Sequence, residues 1–285
     1  MIIVADSGST KCDWRLVQPN GTIQGFSTIG FNPFFHDEAF IERHIRKEEQ
    51  LVDFASQVKH IYFYCAGGSS DELRAKVARG LALVFTNADI LVDHDLNAAA
   101  LSVYDGEPCI ACILGTGSNS CYFDGDTIRE EVPALAYILG DEGSGSYFGK
   151  ILLRKFLYRQ LPEHLHNCLA EQYNLTKNTI FENVYMKPHA NVFLASIMKM
   201  VSLYRDDPFI RDMLREGLSR FLREHVCCFS NYKEVPVHFV GSIGHYFNDI
   251  LREEADKLGI TIGTIAKKPI EGLVRFHRKP IVPES

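Results

Sequence analysis

Short apolar runs separated by turn-forming residues open the chain and predict β-strands. The runs cover residues 1–5, 12–18, 22–27, 60–65 and 90–92. The dipeptide Asn20-Gly21 predicts a hairpin turn between the second and third runs. The opening residues are therefore expected to form a β-sheet.

Apolar residues at helical spacing follow some of these strands. Residues 37–58 show this spacing, and Ser69 or Ser70 is placed to cap a helix that continues to residue 85. An alanine-rich helix follows Asp95, and residues 141–229 are mainly helical. Two more strands and a last helix are then predicted, at residues 235–240, 261–265 and from 268.

The strand pattern of the opening residues is repeated from residue 109. IIVADSGSTKCDWRLVQPNGTI and CIACILGTGSNSCYFDGDTI both give an apolar strand, a turn of small residues, a return strand, an Asn/Asp-Gly turn and a closing Thr-Ile. In the second copy the predicted strands cover residues 109–114, 120–123 and 127–132. A repeat at this spacing indicates a duplicated domain rather than a solenoid.

Length and charge restrict the class of protein. The 285 residues are enough for two domains, and a net charge of −6 gives no electrostatic footprint for nucleic acid or an anionic membrane. No apolar run approaches the roughly 20 residues that cross a bilayer, and the first residues lack the basic region of a signal peptide. Eight cysteines without a secretion signal are expected to be reduced. These features predict a cytoplasmic protein that binds neither nucleic acid nor membrane.

A Cys-x-x-Cys pair and one histidine could suggest redox or metal chemistry. Cys109 and Cys112 lie in an apolar run that is typical of a buried strand, and no second pair completes a zinc site. His225 lies on the apolar stripe of a predicted helix, so we expect it to be packed in the core rather than to bind a ligand.

Two glycine turns carry the candidate chemistry, DSGSTK at residues 6–11 and LGTGSNS at residues 114–120. Glycine permits positive φ and lets backbone N–H groups approach an anion. Gly8 would make the first turn, and Ser9, Thr10 and Lys11 would add donors to a phosphate. These turns are predicted to bind the phosphates of a nucleotide.

The strand before the first turn ends in a carboxylate. Asp6 would hold the hydration shell of Mg²⁺ beside a triphosphate. Neither turn is a Walker A loop, and no GxGxxG follows the first strand. Ordinary Ser/Gly hairpin turns are the alternative, and the occurrence of two such turns plus GSIG at residues 241–244 weakens it.

Phosphoryl transfer to a hydroxyl also needs a general base. Asp95 follows a strand and opens a helix, which places it at the carboxyl edge of a sheet, where ligands bind. Asp95 could equally be a helix N-cap, and Asp93 is a second candidate for the base. The residues alone leave these alternatives open.

DSGSTK, DHDLNAAA, LGTGSN, GDEGSGSYFG and VGSIG occur in an order and spacing that resembles the N-acetylglucosamine kinase family. That family is part of the BadF/BadG/BcrA/BcrD-type ATPases of the actin-like superfamily. The resemblance covers essentially the whole chain. It implies an α/β fold of two ribonuclease-H-like domains with the active site in the cleft between them. The expected domains are 1–108, completed by a C-terminal helix at 268–285, and 109–267.

The resemblance also assigns roles to residues. It makes Asp95 the catalytic base, ATP and Mg²⁺ the cofactors, and Asp6 the magnesium residue. The nucleotide-binding turns correspond to Ser7, Gly8, Ser9, Thr10, Lys11, Gly115, Thr116, Gly241, Ser242 and Gly244. The sugar contacts correspond to Asn32, Thr116, Gly117, Asn119 and Asp141.

The predicted activity is ATP-dependent phosphorylation of an amino sugar, most simply N-acetylglucosamine at O6. The family usually has Gly-Trp-Gly before GDEGS, where this chain has Ala134-Leu135-Ala136, and that difference lies near the sugar pocket. Phe34 is placed to serve as the aromatic residue that family members often carry after the Asn32 position.

Three other functions are open. They are N-acetylmuramic acid phosphorylation in cell-wall recycling, an ATPase that activates an iron–sulfur reductase, and a nucleotide-switched protein of the actin or chaperone kind. The adjacent Cys227 and Cys228 point to different faces of a helix, which is poor geometry for binding a cluster together. The family resemblance implies a homodimer, although the sequence contains no exposed apolar stripe that demands one.

Overall fold

The computed structural model describes residues 1–8 and 11–278. The chain divides into two compact units, Met1–Tyr104 with the segment from Lys268, and Asp105–Lys267. Each unit contains one five-stranded mixed sheet with helices packed on it. The α/β class and the presence of two similar units agree with the sequence-based expectation.

The sheet of the first unit has the strand order β3-β2-β1-β4-β5. Its strands are β1 (Ile2–Ser7), β2 (Lys11–Val17), β3 (Ile23–Ile29), β4 (His60–Cys65) and β5 (Asp89–His94). The first three form an antiparallel meander, whereas β4 and β5 run parallel to β1. Because parallel strands end at the same edge, the residues that follow β1, β4 and β5 lie close together.

Five α-helices lie in the described residues of the first unit. They are α1 (Glu38–Ile45), α2 (Glu49–Val52), α3 (Asp71–Ala82), α4 (Asp95–Val103) and α14 (Ile270–His277). The helix predicted over 37–58 is broken into α1, α2 and the 3₁₀ turn Ala55–Gln57. Residues 46–50 supply no apolar side chain, so the stripe that would hold one continuous helix is interrupted. Ser70 caps α3, as predicted.

The core of the first unit covers both faces of its sheet. Trp14 and Phe63 lie on one face, where α1 and α3 pack. Val4 and Tyr64 lie on the other face, against Leu273 of α14 and the residues of α4. Helix α14 is therefore part of the core of this unit.

The second sheet has the order β10-β9-β6-β7-β8. Its strands are β6 (Cys109–Leu114), β7 (Ser118–Phe123), β8 (Ile128–Arg129), β9 (Val237–Val240) and β10 (Ile262–Ala266). This order matches the first sheet when β6 is set equivalent to β1, which confirms the internal repeat. Strand β8 covers only two residues and is shorter than the predicted 127–132.

Most of the second unit is helical, as predicted for residues 141–229. Its helices are α5 (Ala136–Leu139), α6 (Gly145–Leu157), α7 (Glu163–Asn167), α8 (Lys177–Phe181), α9 (Ala190–Ser196), α10 (Met198–Leu203), α11 (Pro208–Phe221), α12 (Ser242–Tyr246) and α13 (Asn248–Leu258). Single π-helical turns extend α7, α8 and α11, at Cys168–Gln172, Glu182–Met186 and Leu222–Val226. Within the part of the chain that the structure describes, no helix is long and apolar enough to span a membrane.

His225 and the pair Cys109 and Cys112 are core residues. His225 is buried and stacks on Phe221 with ring centroids 5.0 Å apart, which confirms its packing role. Cys109 and Cys112 are buried in β6, three positions apart and so on opposite faces of the strand. Burial raises the pKa of both thiols, which keeps them protonated and unreactive.

Candidate active site

The first glycine turn joins β1 to β2. The Gly8 N–H donates to the carbonyl oxygen of Lys11 at 3.0 Å and closes a tight turn. Gly8 does not have positive φ, and among the described residues a Cβ atom there would meet the Lys11 oxygen alone, at 3.7 Å. The φ angle of Gly8 therefore does not require glycine at this position. Ser9 and Thr10 lie outside the described residues.

Two of the predicted phosphate donors, Ser7 and Lys11, already contact other residues of the first unit. The buried Ser7 Oγ accepts a hydrogen bond from the Phe31 N–H at 2.7 Å. The Lys11 Nζ atom lies 2.8 Å from Asp13 Oδ1, with half of the lysine side chain exposed. Ser7 thus braces the loop after β3, whereas Lys11 is held beside the turn by a carboxylate.

Acidic side chains cluster at the end of β1. Burial raises the pKa of Asp6 to about 7, and the carboxylates of Asp95 and Asp13 add to the rise. Lys268 opposes it and donates to Asp13 Oδ2 at 2.6 Å. Burial would raise the pKa of Asp13 as well, but the hydrogen bonds from Lys11 and Lys268 lower it below its ordinary value. Asp6 therefore holds a proton more strongly than Asp13.

Asp6 suits a magnesium ion held through water. Carboxylate oxygens are ligands that Mg²⁺ prefers, and this ion keeps several waters and is completed by substrate phosphates. Among the described residues, no group of three or more His, Cys, Asp or Glu side chains forms a metal cage made by protein alone. A cation beside Asp6 would also offset the repulsion from Asp95 that raises its pKa.

Asp95 occupies the first position of α4. The N-cap residue is His94, which makes no side-chain capping hydrogen bond. Asp93 accepts from the His94 N–H at 2.8 Å and from Asn97 Nδ2 at 2.6 Å. Asp93 thus makes local hydrogen bonds at the start of α4, and Asp95 is the first residue of that helix rather than its N-cap.

Asn32 lies in the loop between β3 and α1. Its Oδ1 accepts from the Phe34 N–H at 3.0 Å. A Cβ atom on Gly67, which has φ +84°, would lie 2.7 Å from that same oxygen. Gly67 therefore permits the loop after β4 to contact Asn32, while Phe34 and Phe35 remain exposed beside it.

The second glycine turn is fixed to the start of α6. Gly115 N–H donates to the Gly117 carbonyl at 3.0 Å. The N–H groups of Gly145 and Ser146 donate to the carbonyls of Gly115 and Thr116 at 2.8 and 3.0 Å. A Cβ atom on Gly115, which does not have positive φ, would meet no atom of the described residues within 4 Å. Within the described part of the chain, the second turn is therefore open on one side.

Asp141 is packed directly on that turn. Its Oδ1 accepts from the Ser118 N–H at 3.3 Å, and its Oδ2 from Ser146 Oγ at 3.4 Å. A Cβ atom on Gly117 would lie 2.9 Å from Oδ2, so a larger residue there would displace the Asp141 carboxylate. Burial raises the pKa of Asp141, whose backbone is left-handed with φ +59°. Strained backbone of this kind is concentrated at functional sites.

The third glycine turn also lies against the second. Gly241 has φ +133°, and a Cβ atom there would lie 2.2 Å from the Leu114 carbonyl oxygen. The turn is limited to this residue, because Ser242 already begins α12 and Gly244 lies inside that helix. Gly244 packs near Phe239 rather than facing open space. The GTGSN, GDEGS and GSIG motifs therefore come together within the second unit.

The side chain of Asn119 points away from Gly117 and Asp141. Its Nδ2 donates to Glu130 Oε2 at 3.3 Å. Alternation along β7 places its side chain on the opposite face from Ser118 and Ser120. The structure thus brings Gly117 and Asp141 together and keeps the Asn119 side chain apart from them.

The segment that replaces Gly-Trp-Gly has an unusual backbone. Ala136 adopts φ +56°, in the left-handed region that favours glycine. The second glycine of the family pattern would fall on this residue. The segment thus retains a glycine-like backbone conformation without the glycine.

Sequence reasoning missed several residues of these two groups. Asp13 and Lys268 form an ion pair, but 255 positions separate them in the chain. Ser146 contacts Asp141 from the first turn of α6. The Gly67-Gly68 dipeptide after β4 was a usable signal, because a glycine pair at a strand end indicates close approach of another segment.

Comparison with known proteins gives matches among solved structures. No family profile matches the chain, and no curated protein matches it. A candidate N-acetylglucosamine kinase from Porphyromonas gingivalis has 36% sequence identity and a TM-score of 0.92, covering 97% of this chain and 98% of its own.

Two more distant structures share the fold. A candidate N-acetylglucosamine kinase from Chromobacterium violaceum has 19% identity and a TM-score of 0.69, over 96% of this chain and 98% of its own. A ROK family glucokinase from Streptomyces griseus, solved with glucose and AMPPNP, has 17% identity and a TM-score of 0.56. The match covers 96% of this chain and 97% of the glucokinase chain.

Proposed function

Because the chain belongs to the N-acetylglucosamine kinase family of actin-like sugar kinases, we propose that it transfers the γ-phosphoryl group of ATP to an amino sugar, with O6 of N-acetylglucosamine as the acceptor. The observation that carries the proposal is the packing of Asp141 and Gly241 on the Gly115 turn, within one unit. This arrangement supports a site where a sugar and a phosphate are held side by side.

In the first unit, Asp95 acts as the general base. It takes the proton of the acceptor hydroxyl as the hydroxyl oxygen attacks the γ-phosphorus, which typically contributes about 10²–10⁴-fold to the rate. Asp93 supports this role because its bonds to His94 and Asn97 fix the start of α4. Asn32 holds a sugar hydroxyl or the acetamido group.

The glycine turns and Lys11 stabilise the negative charge of the phosphates. Backbone N–H groups of the two turns donate to phosphate oxygens, as in other anion sites of this kind. Mg²⁺ bound with ATP would neutralise phosphate charge, with Asp6 holding its water ligands. Such stabilisation and positioning account for most of the catalysis of phosphoryl transfer.

In the second unit, Asp141 accepts hydrogen bonds from sugar hydroxyls. Its contacts with Ser118 and Ser146 hold the carboxylate in one orientation. Gly117 leaves the room that this orientation needs. Thr116 and Asn119 supply further polar contacts, Asn119 after release from Glu130.

N-acetylmuramic acid is the second candidate substrate, and one cation favours it. Its lactyl carboxylate requires a positive charge near the sugar site. Lys150 on α6 donates to the Tyr137 carbonyl, and the carboxylates of Asp141 and Glu142 act on it. Burial lowers the pKa of Lys150, but these two carboxylates oppose the shift and favour the charged form.

The test is ATP turnover with and without a panel of sugars. ADP release is measured with no sugar, N-acetylglucosamine, N-acetylmuramic acid and glucose, and the product is identified by NMR. Stimulation by N-acetylglucosamine with a 6-phosphate product is expected. ATP hydrolysis that no sugar alters would overturn the proposal and favour an ATPase of the reductase-activating or actin-like kind.

A lysine variant separates the two sugars. Lys150→Met is expected to retain phosphorylation of N-acetylglucosamine and, if the muramic acid sugar is a substrate, to lose that activity alone. Lys155→Met, on the same helix, is the matched control.

The enzyme is expected to work in the cytoplasm and, as the family resemblance implies, as a homodimer.

A further inference from the structure

The loop that carries Asn32, between β3 and α1, belongs to neither a helix nor a strand, yet it is held at several points. At its start the Phe31 N–H donates to Ser7 Oγ at 2.7 Å. The carbonyl oxygen of Asn32 accepts from the N–H groups of Phe35 and His36, each at 3.0 Å. Because a binding segment that is fixed in advance loses less entropy when a ligand binds, such contacts suit a loop that recognises a substrate.

The ring of His36 adds a contact from the side chain to the backbone of Asn32. Its Nδ1 atom accepts from the Asn32 N–H at 3.2 Å. The ring is itself held by stacking on Phe40 of α1, with centroids 4.0 Å apart and an interplanar angle of 10°. Helix α1 therefore fixes the backbone of Asn32 through a histidine.

A second helix holds the next residue of the loop. Lys76 of α3 donates from Nζ to the Pro33 carbonyl oxygen at 2.8 Å. Proline has no N–H group, so its carbonyl is the backbone group through which a neighbouring element can hold it. A charged donor also makes a stronger hydrogen bond than a neutral one. Helices α1 and α3 thus fix the chain at Asn32 and immediately after it.

These contacts determine what the Asn32 side chain can offer to a ligand. The Phe34 N–H can only donate, so the side-chain atom that it contacts at 3.0 Å is Oδ1 and not Nδ2. Gly67 packs against the same amide, where a Cβ atom would lie 2.7 Å from Oδ1. Among the described residues, Nδ2 has no hydrogen-bond acceptor. The amide therefore keeps a donor for the ligand.

We infer that His36 and Lys76 are positioning residues for sugar recognition, which hold the Asn32 amide so that Nδ2 donates to an acceptor atom of the sugar. This role rests on the proposed function, because it requires that Asn32 contacts the sugar. The carbonyl oxygen of an acetamido group and a hydroxyl oxygen can accept such a bond, whereas an ammonium group cannot. The loop thus favours an N-acetylated or neutral sugar over one with a free, charged amine.

The experiment measures KM and kcat for N-acetylglucosamine at saturating ATP. His36→Leu removes the acceptor for the Asn32 N–H and is expected to raise KM about ten-fold, as for the loss of one hydrogen bond. Its kcat should stay within about three-fold of wild type, because the reacting groups are unchanged. Lys76→Met is expected to raise KM as well. His36→Asn places an amide oxygen near the position of Nδ1 and should recover most of the lost affinity.

Each variant has a matched control on the same helix. His44→Leu removes a second histidine that packs on Phe40, with centroids 4.1 Å apart, and whose Nδ1 contacts the Phe40 carbonyl. Arg79→Met removes a cation of α3 that pairs with Glu38 at 2.8 Å. Both controls are expected to leave the KM of the sugar unchanged. Thermal unfolding measures the stability of every variant.

Two substitutions of Asn32 test the chemistry of the contact. In the Asn32→Ala background, His36→Leu is expected to change KM less than about two-fold, because the amide that it positions is gone. Asn32→Asp keeps an acceptor for the Phe34 N–H but replaces Nδ2 by an oxygen. It is expected to raise KM at least as much as Asn32→Ala.

The outcomes separate this role from the reaction itself. A wild type whose ATP turnover no sugar stimulates would overturn the proposed function and the positioning role together. A wild type that phosphorylates the sugar, with His36→Leu no worse than His44→Leu and Lys76→Met no worse than Arg79→Met, would overturn the positioning role alone. Equal effects of His36→Leu with and without the Asn32 amide would mean that the histidine does not act through it. A KM near that of wild type in Asn32→Asp would contradict donation by Nδ2.

Discussion

Gly241 rests on the carbonyl oxygen of Leu114, so close that a Cβ atom on Gly241 would lie 2.2 Å from that oxygen. The contact joins the end of β9 to the end of β6, where the second glycine turn begins. Positive φ and close backbone approach thus coincide at one residue. Gly115, the next residue after Leu114, has neither requirement.

Alanine substitutions should therefore separate structure from ligand binding. We expect Gly241→Ala to destabilise the second unit by about 2–4 kcal/mol, because it adds backbone strain and a steric clash. Gly115→Ala should leave the unfolding temperature nearly unchanged and weaken ATP binding, because its methyl group enters the open side of the turn. Thermal unfolding and calorimetric ATP titration measure the two effects. The reverse pattern would contradict the roles assigned to these glycines.

Replacing the carboxylate at the start of α4 should affect the chemical step alone. Asp95→Asn is expected to lower kcat by about 10²–10⁴-fold and to leave the ATP dissociation constant within about three-fold of wild type. Asp93→Asn is the control, since Asp93 accepts from the backbone of His94 and should affect stability more than kcat. A larger loss of kcat in Asp93→Asn than in Asp95→Asn would move the base to Asp93. Steady-state kinetics at saturating sugar provide the comparison.

The raised pKa of Asp6 should make stability depend on pH. Its value in the folded protein is about 7, against an ordinary value of 3.8. Between these values the folded state holds a proton that the unfolded chain releases, so the stabilising contribution is present at low pH and is lost as pH rises through about 7. The free energy of unfolding of the wild type relative to Asp6→Asn is therefore expected to fall from pH 4 to pH 7.

Urea unfolding without magnesium, at several pH values, measures that difference. His277 has a pKa lowered by burial to about 4 and also changes stability in this range, but it is present in both proteins and cancels. A wild type that gains stability relative to Asp6→Asn as pH rises would mean that the pKa of Asp6 is lowered in the folded state.

Ala136 is a position where glycine should stabilise the protein. Left-handed backbone costs a non-glycine residue about 1–2 kcal/mol, and glycine loses part of that gain through its greater freedom in the unfolded chain. We expect Ala136→Gly to increase stability by about 0.5–1 kcal/mol, measured by urea unfolding. Ala134→Gly, at a neighbouring exposed residue without positive φ, should not stabilise. Equal effects of the two substitutions would contradict the role of φ.

Local sequence signals predicted the sheets well. β4 and β6 have the predicted bounds, because a run of apolar residues between turn signals determines a buried strand. The doubled hairpin predicted a duplicated domain, and the two sheets share one strand order. The continuous helix over 37–58 was wrong, since the apolar residues are interrupted at 46–50.

Contacts between distant segments could not be read from the sequence. Lys268 reaches Asp13, and no local pattern relates the two. The exposed apolar side chains Ile138, Tyr158 and Tyr185 come from three separate stretches, so no single stretch contains an exposed apolar stripe. The short helix α5 was not predicted, because its exposed apolar residues show no helical periodicity against a core.

The packing of α14 has a consequence for synthesis on the ribosome. Ile270, Leu273 and Val274 fill one face of the first sheet, and a Cβ atom on Gly272 would lie 2.0 Å from the Ser102 carbonyl oxygen of α4. The second unit, Asp105–Lys267, is continuous and is translated in full before α14. The part of the chain made first therefore completes its core last, and one apolar face of its sheet is covered only in part, by α4, while the second unit folds.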